Sequence, residues 1–535
     1  MPISEEEMDA ALEKSTSKAV SSIGLSPFII SRLAPNISPF LLALCNNAIS
    51  TAAFPLRFLE SAVFFLHKKG SRTDPNNYRS LAVENPFLKI LSYILTKRIT
   101  EYAENNELFP EYQFGYRKNR TTAGAAAILY EIARGRLDEK KRTYVAFIDF
   151  QKCFDSIRRD LLFVKLQELG IPFQICSLLH YIFSNLQFFI KSGNSLAQAF
   201  STKIALPQGD PISPVLFGLF VHDLPHCFSH IGPIIHGIHC AYLMFADDLA
   251  IICETETELQ CALNSLSQYC RQNGLKINTS KSKCLVFHRG RLPDCSFFLD
   301  NNALEIVNNF CYLGFTFSTQ LSFTSHLQEL VAKANGRIGV LRSRLPLREL
   351  PLSLVLDIFG CYILPIFRYG LGLWMASYSN SACQSANAVF TKYLKAYLGV
   401  PYHSNNAIVH HITNTTPLMI TLQNLVNQSA GCFQFPTALH GYRPSFLAPA
   451  TGPALYDAIP QIPSYFWRSK VFHVLPRLAY NRKQLCREIF DSNHHLKFCT
   501  NQQFHLLDYD TCTCIGCEEL ITHYHQYFCT QLQDQ

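Results

Sequence analysis

Asp149 closes an apolar run, YVAFI (residues 144–148), and Asp247 and Asp248 close another, YLMFA (residues 242–246). A carboxylate at the end of a buried strand is costly unless it is paired or binds a cation. Three of them at two strand ends cannot neutralise one another, because like charges raise each other's pKa. A divalent cation resolves the conflict, and carboxylate oxygens of this kind suit Mg²⁺. Two such ions about 4 Å apart, bridged by aspartates, can activate a 3′-hydroxyl and stabilise a leaving pyrophosphate. The aspartates alone carry little weight, since Asp149, Asp155, Asp247 and Asp248 could equally be turn and cap residues. Between the two sites lies LPQGDPISPVLFGLF (206–220), a Pro- and Gly-rich loop opening an apolar helix. There Gln208 and Gly209 would let a backbone approach a flat ligand closely.

A second constellation closes the chain. Cys514 and Cys517 are two residues apart, followed by His523 or His525 and then Cys529. Two thiolates, an imidazole and a closing thiolate make a four-ligand set suited to tetrahedral Zn²⁺. Cys514, Cys517, His525 and Cys529 form the expected set, with His523 or Cys512 as alternates.

The elements that must carry these residues can be read from periodicity. AVFFLHKKG (62–70) reads as a strand followed by a polar turn, and 85–105 as a helix with Leu88, Leu91, Ile94, Leu95 and Ile99 on one face. Between Thr143 and Ser318, short β-rich runs alternate with amphipathic segments at 159–169 and 257–273. This argues α+β, with an antiparallel hairpin around FADD. Two or three helices punctuated by Pro27, Pro35, Pro39 and Pro55 precede this region. A helical stretch from His326 to about Leu398 follows, and the apolar stretch 353–376 reads as a buried helix pair. Residues 401–450 contain no Asp or Glu and fit a linker or a packed helical layer.

Composition sets the outer bounds. The 535 residues are 48% hydrophobic and 16% charged, a composition that folds. The net charge of +7 leans toward a polyanionic partner without naming one. No membrane span is evident, and the acidic start MPISEEEMDAALEKS does not read as a secretory signal. Twenty cysteines scattered through a large chain favour reduced thiols in an intracellular setting, nucleus or cytoplasm.

Taken in order, the motifs resemble those of the reverse transcriptases of non-LTR (LINE-type) retrotransposons. The matching pieces are FFLHKKGSRTDPNNYRSLA, QFGYRKNRTT, FIDFQKCFDSI, LPQGDPISP, FADD, the lysine segment INTSKSK and YLGF, spanning about 62–318. The resemblance implies a right-hand polymerase fold: an N-terminal helical fingers extension (1–61), fingers and palm (62–320) and a helical thumb (321–400). A linker or helical layer (401–480) and a small Cys/His-rich region (481–535) would complete it.

The resemblance also implies roles. Asp149 and Asp247 correspond to the metal-bridging aspartates, with Asp248 a less direct third. Lys68 (or its neighbour Lys69) and Arg79 fall where the family places cations on the incoming triphosphate. Phe154 falls where an aromatic crowds a ribose 2′-OH, and Gln208 and Gly209 where template and nucleotide are positioned. Lys281 occupies the place of a proton donor to pyrophosphate, and Leu313 and Gly314 that of the primer-grip turn.

The implied activity is RNA-directed DNA polymerisation with two Mg²⁺ ions, an RNA template, a DNA primer or nicked target DNA, and dNTPs. Basic residues between Arg337 and Arg348 and between Arg468 and Arg487, with Tyr116, Arg117 and Lys118, are candidate nucleic-acid contacts. The sequence departs from the family pattern at Lys18–Gly24 (KAVSSIG), which lacks a Pro, Gly and Asp usual there. Ser80 replaces a usual proline, and Cys153 a usual alanine. No nuclease domain is expected in the chain. A non-catalytic RNA-binding remnant and a group II intron-type maturase are the competing expectations.

Overall fold

The computed structural model describes residues 2–428 apart from 22–23, 193–194, 236–237 and 292–293, together with a short strand pair, Leu507–Asp508 and Thr513–Cys514. The expected zinc ligands and Arg468–Arg487 lie outside the residues whose side chains are described. The chain divides into two compact units, with the boundary between Leu313 and Gly314.

The first unit opens with helices α1 (Glu5–Lys14) and α2 (Pro27–Thr51). Pro35 and Pro39 do not break α2 but sit inside it. The carbonyls of Ser31 and Pro35 lose their usual donors, yet Ser31 is half-buried and Pro35 exposed, so water can satisfy them. By length and composition alone α2 could cross a membrane. Its Ile30, Leu41, Cys45 and Ala48 are buried where the helix packs against its neighbours within this unit, while Ile29, Leu33 and Phe40 are exposed.

Strands β1 (Glu60–His67) and β2 (Tyr78–Glu84) form an antiparallel hairpin pairing Leu66 with Arg79. Helix α3 (Pro86–Asn105) follows, with Asn85 as its cap and Pro86 at its first position, and then α4 (Thr122–Asp138). Strand β3 (Thr143–Ile148) is buried at every position. Next come α5 (Cys153–Ser156), α6 (Arg159–Glu168) and α7 (Phe173–Asn185). Strands β4 (Gln187–Ser192) and β5 (Ser195–Leu196) then join the first hairpin in a four-stranded sheet ordered β2-β1-β4-β5.

Helix α8 (Ser213–Phe220) leads to a short hairpin, β6 (Ile234–Ile235) and β7 (Ile238–His239), then to β8 (Tyr242–Phe245) and β9 (Asp248–Cys253). After α9 (Glu256–Asn273) come β10 (Lys283–Phe287), β11 (Phe297–Leu299), β12 (Asn302–Ile306) and β13 (Asn309–Tyr312). The central sheet is ordered β11-β12-β10-β3-β9-β8. Helices α4 and α9 both pack against β3, which explains its unbroken apolar run.

The second unit opens with β14 (Phe315–Ser318) and α10 (Thr324–Arg344). The expected helix pair at 353–376 is three shorter helices, α11 (Leu352–Tyr362), α12 (Leu364–Arg368) and α13 (Leu371–Trp374). Pro365 opens the second, and Gly370, with φ of 57°, precedes the third. Helix α14 (Asn380–Leu398) packs on α10, and α15 (Asn406–Ile412) and α16 (Leu418–Gln428) pack on α14. Residues 406–428 are therefore a helical layer. No described cysteine forms a disulfide.

Candidate active site

Asp149 follows β3, Asp247 sits in the two-residue turn between β8 and β9, and Asp248 begins β9. The β3–β9 register ends at Ile148 opposite Leu249, so Asp149 and Asp248 stand at the next step of the same ladder. Sheet topology thus gathers three carboxylates separated by about a hundred residues of sequence.

Their electrostatics record the crowding. Burial and then the Asp149 charge push the Asp247 carboxyl up, opposed by Arg79 and Lys68. Asp248 is pushed up to about 6, first by partial burial and then by Asp247 and Asp149. Much of Asp248 is open to solvent, which screens part of that repulsion. Unrelieved repulsion among hard oxygen donors is what a divalent cation compensates, so the donor set fits Mg²⁺ in kind. The present rotamers do not pre-form a cage: among the described residues, no three His, Cys, Asp or Glu side chains converge closely enough to hold a metal ion.

The segment after α9 wraps Asp149. The Asn278 N–H donates to the Asp149 carbonyl (2.8 Å), and the Asp149 N–H donates to Ser282 Oγ (3.1 Å). Lys283 pairs with Phe147 and Ile277 with Phe150, so six residue steps on one strand face three on the other. The surplus residues loop out and carry Lys281 over Asp149, with Nζ 3.7 Å from Oδ2. Such bulges commonly re-aim a side chain beside a site.

Phe154 is half-buried, its ring 5.1 Å from that of Phe217, and its carbonyl accepts from Leu206 N–H (2.8 Å). That bond ties the end of β3 to the Leu206–Gly209 loop. Gln208 Nε2 reaches Asp155 Oδ1 at 3.5 Å, and its carbonyl accepts from Ala82 N–H at 2.7 Å. Gly209, at φ of 114°, would bring a Cβ within 2.6 Å of the Ala82 carbonyl. Its missing side chain therefore permits a close approach to strand β2.

Lys68 and Arg79 are exposed on the β1–β2 hairpin, near enough for their charges to act on Asp247. Leu313 and Gly314 form a two-residue turn with φ of 48° and 85°. A Cβ on Gly314 would lie 2.9 Å from the Tyr369 ring.

Several cations are committed elsewhere. Arg117 is paired with Glu104 (2.6 Å) and donates to the Pro110 carbonyl (3.0 Å), which leaves Tyr116 and Lys118 as the freer members of that trio. Arg337 donates to the Tyr362 carbonyl (2.9 Å) and Arg348 to that of Ala396 (3.1 Å). Sequence reasoning gave no role to Asp210, buried below the Gln208–Gly209 turn, where Oδ1 accepts from Ile212 N–H (3.0 Å). It also gave no role to Gln113, although this residue opens the QFGYRKNRTT segment.

Residues 66–317 match the model of the reverse transcriptase (RNA-dependent DNA polymerase) family. Proteins similar to this chain include RNA-directed DNA polymerases of mobile elements. The "Probable RNA-directed DNA polymerase from transposon BS" of Drosophila melanogaster is 25% identical over 387 residues, covering 70% of this chain and 42% of that protein. The RNA-directed DNA polymerase from mobile element jockey of the same species is 22% identical, covering 73% and 43%. The Pol polyprotein of the type-1 element R2 of Popillia japonica is 26% identical, covering 52% and 39%. The chain thus spans about two fifths of the length of these relatives. Among solved structures, apo telomerase from Candida tropicalis is similar at a TM-score of 0.36 and 11% identity, covering 53% of this chain and 59% of that one.

Proposed function

We propose that this chain is an RNA-directed DNA polymerase that adds dNTPs to a primer 3′-hydroxyl on an RNA template. The observation that carries the reading is the meeting of Asp149 with Asp247 and Asp248 at neighbouring strand ends, within electrostatic reach of Lys68 and Arg79.

In this reading Asp149 and Asp247, supported by Asp248, hold two Mg²⁺ ions. Bound there, the ions supply charge stabilisation at the attacking and departing oxygens. Lys68 and Arg79 grip the triphosphate, Arg79 through two parallel hydrogen bonds. Phe154 crowds the 2′ position of the incoming sugar, and Gln208 positions the nucleotide against the template. The 3′-hydroxyl loses its proton to solvent water and its oxygen bonds to the α-phosphorus, as the α–β bridging oxygen leaves with pyrophosphate, which takes a proton from the Lys281 ammonium. Residues 314–428 act as the thumb on the duplex, with the turn at Leu313 and Gly314 beside the primer. The final Cys/His set, Cys514, Cys517, His525 and Cys529, binds Zn²⁺.

Primer extension by the purified chain with Mg²⁺ and dNTPs on an oligonucleotide-primed RNA tests this. Template-dependent extension is expected. A folded protein that binds RNA tightly and extends nothing would indicate a non-catalytic binder.

A further inference from the structure

Gln113 lies in the loop between α3 and α4 and is 1% exposed. Its Oε1 accepts from the N–H groups of Gly115 (2.8 Å) and Ala246 (3.0 Å), and its Nε2 donates to the Ala246 carbonyl (3.3 Å). The reverse orientation of the amide would face its NH₂ with two N–H donors, so the hydrogen bonds fix the assignment. The flanking backbone joins the same clamp: Met244 N–H donates to the Tyr112 carbonyl (2.9 Å) and Phe114 N–H to the Met244 carbonyl (2.7 Å). A Cβ on Gly115 would lie 2.3 Å from the Ala246 nitrogen, so only glycine permits this approach.

The object held is an unfavourable turn. Ala246 is the first of two residues joining β8 to β9 and has φ of 57°, a conformation that hairpin turns usually assign to glycine or asparagine. An alanine there costs roughly 1–2 kcal/mol. Asp247 is the next residue, and Asp248 the one after. Gln113 satisfies both backbone polar groups of Ala246 in an interior where leaving them unpaired would be costly.

We propose that Gln113 is a positioning residue, whose side-chain amide holds Ala246 in its left-handed conformation and so fixes where Asp247 and Asp248 present their carboxylates. It touches no reacting atom. The inference rests on reading those aspartates as metal ligands, and its test separates the two ideas.

The test uses the full chain and Mn²⁺ as probe, with binding followed by water-proton relaxation and backbone order by hydrogen exchange. Gln113→Leu keeps the size of the side chain and removes its hydrogen bonds. It should weaken Mn²⁺ binding by about 10-fold or more, as loss of a group orienting metal ligands typically does. It should also speed exchange of the 245–248 amides while β3 stays protected. Adding Ala246→Gly, which adopts the turn without restraint, should bring Mn²⁺ affinity back toward that of the parent, a recovery that a general stability defect would not show.

Unchanged Mn²⁺ affinity in Gln113→Leu, or no recovery in the double variant, would overturn the proposal. If the single variant does not fold, Ala246→Gly is compared with the double variant: equal affinities support the clamp, and a 10-fold gap overturns it. A parent chain that binds no Mn²⁺ would defeat the polymerase reading. Amide exchange at 245–248 would then decide the clamp on its own, since parent-like rates in Gln113→Leu would overturn it.

Discussion

Lys281 and Asp149 form an open ion pair: Nζ lies 3.7 Å from Oδ2, and the two side chains are 64% and 39% exposed. A pair so accessible to water contributes little to stability. The backbone around it, by contrast, is fixed by the Asn278 and Ser282 bonds to Asp149. Lys281 is thus mounted rigidly beside the carboxylates while its ammonium can leave Asp149 at small cost. This suits the role proposed for Lys281, proton donation to a departing pyrophosphate.

Lys281→Ala should therefore leave thermal stability almost unchanged and slow single-nucleotide incorporation by about 10²-fold, the lower end for loss of a general acid. Rapid-quench kinetics at saturating dNTP would measure it. An incorporation rate within two-fold of the parent would remove Lys281 from the proton-transfer role.

Phe154→Ala should keep dNTP incorporation and admit ribonucleotides, because it removes the half-buried ring proposed to crowd the 2′ position of the incoming sugar. The ratio of kcat/KM for dNTP over rNTP should fall by about 10-fold or more, a modest loss for a steric contact. An unchanged ratio would make Phe154 a packing partner of Phe217 alone.

Gly209→Ala tests the turn beneath Gln208. The added Cβ meets the Ala82 carbonyl at 2.6 Å and the backbone sits at φ of 114°, so a destabilisation of about 1–3 kcal/mol is expected. Urea unfolding would show it as a lower midpoint with the same slope. Parent-like stability would mean that the β2 contact yields easily.

Asp210 adds a pH dependence beside the same turn. Burial raises its pKa to about 6, against the backbone donor at Ile212, the Lys89 charge, and hydrogen bonds to Glu84 and Ser92. Glu84, fully buried beside it, is raised by its own burial and by the Asp210 charge. Asp210 binds its proton more tightly folded than unfolded. It therefore favours the folded state fully below its unfolded pKa near 4, and that advantage is lost as the pH rises through about 6. Asp210→Asn mimics the protonated form, so it should stabilise the chain by about 1–2 kcal/mol at pH 7.5 and by much less at pH 4.5. A difference in Tm that does not vary with pH would contradict this.

Local pattern made the strands that carry the three aspartates legible. YVAFI followed by Asp149 is a strand buried on both faces with a carboxylate at its end, and FADD is the turn of a hairpin, as its flanking runs suggested. What local pattern could not show depends on contacts far apart in sequence. Gln113 and Ala246 are 133 residues apart, and so are Asp149 and Ser282. Neither partnership leaves a periodic signal. The contact of Gly209 with the Ala82 carbonyl, 127 residues earlier in the chain, could not be read either. Arg117 and Arg337 read as candidate nucleic-acid contacts, and the groups that engage them, Glu104 and the Tyr362 carbonyl, left no sign in the local pattern. Pro35 and Pro39 read as helix breaks because their missing hydrogen bonds were counted without the water that can replace them.

Asp247→Asn tests the central claim most directly, because it keeps the size and turn position of the side chain and removes the charge. Measured by single-nucleotide extension of a primed RNA beside the affinity for the same duplex, the account predicts that extension is lost while binding stays near that of the parent. Extension retained near the parent rate would contradict the assignment of this carboxylate to the reaction.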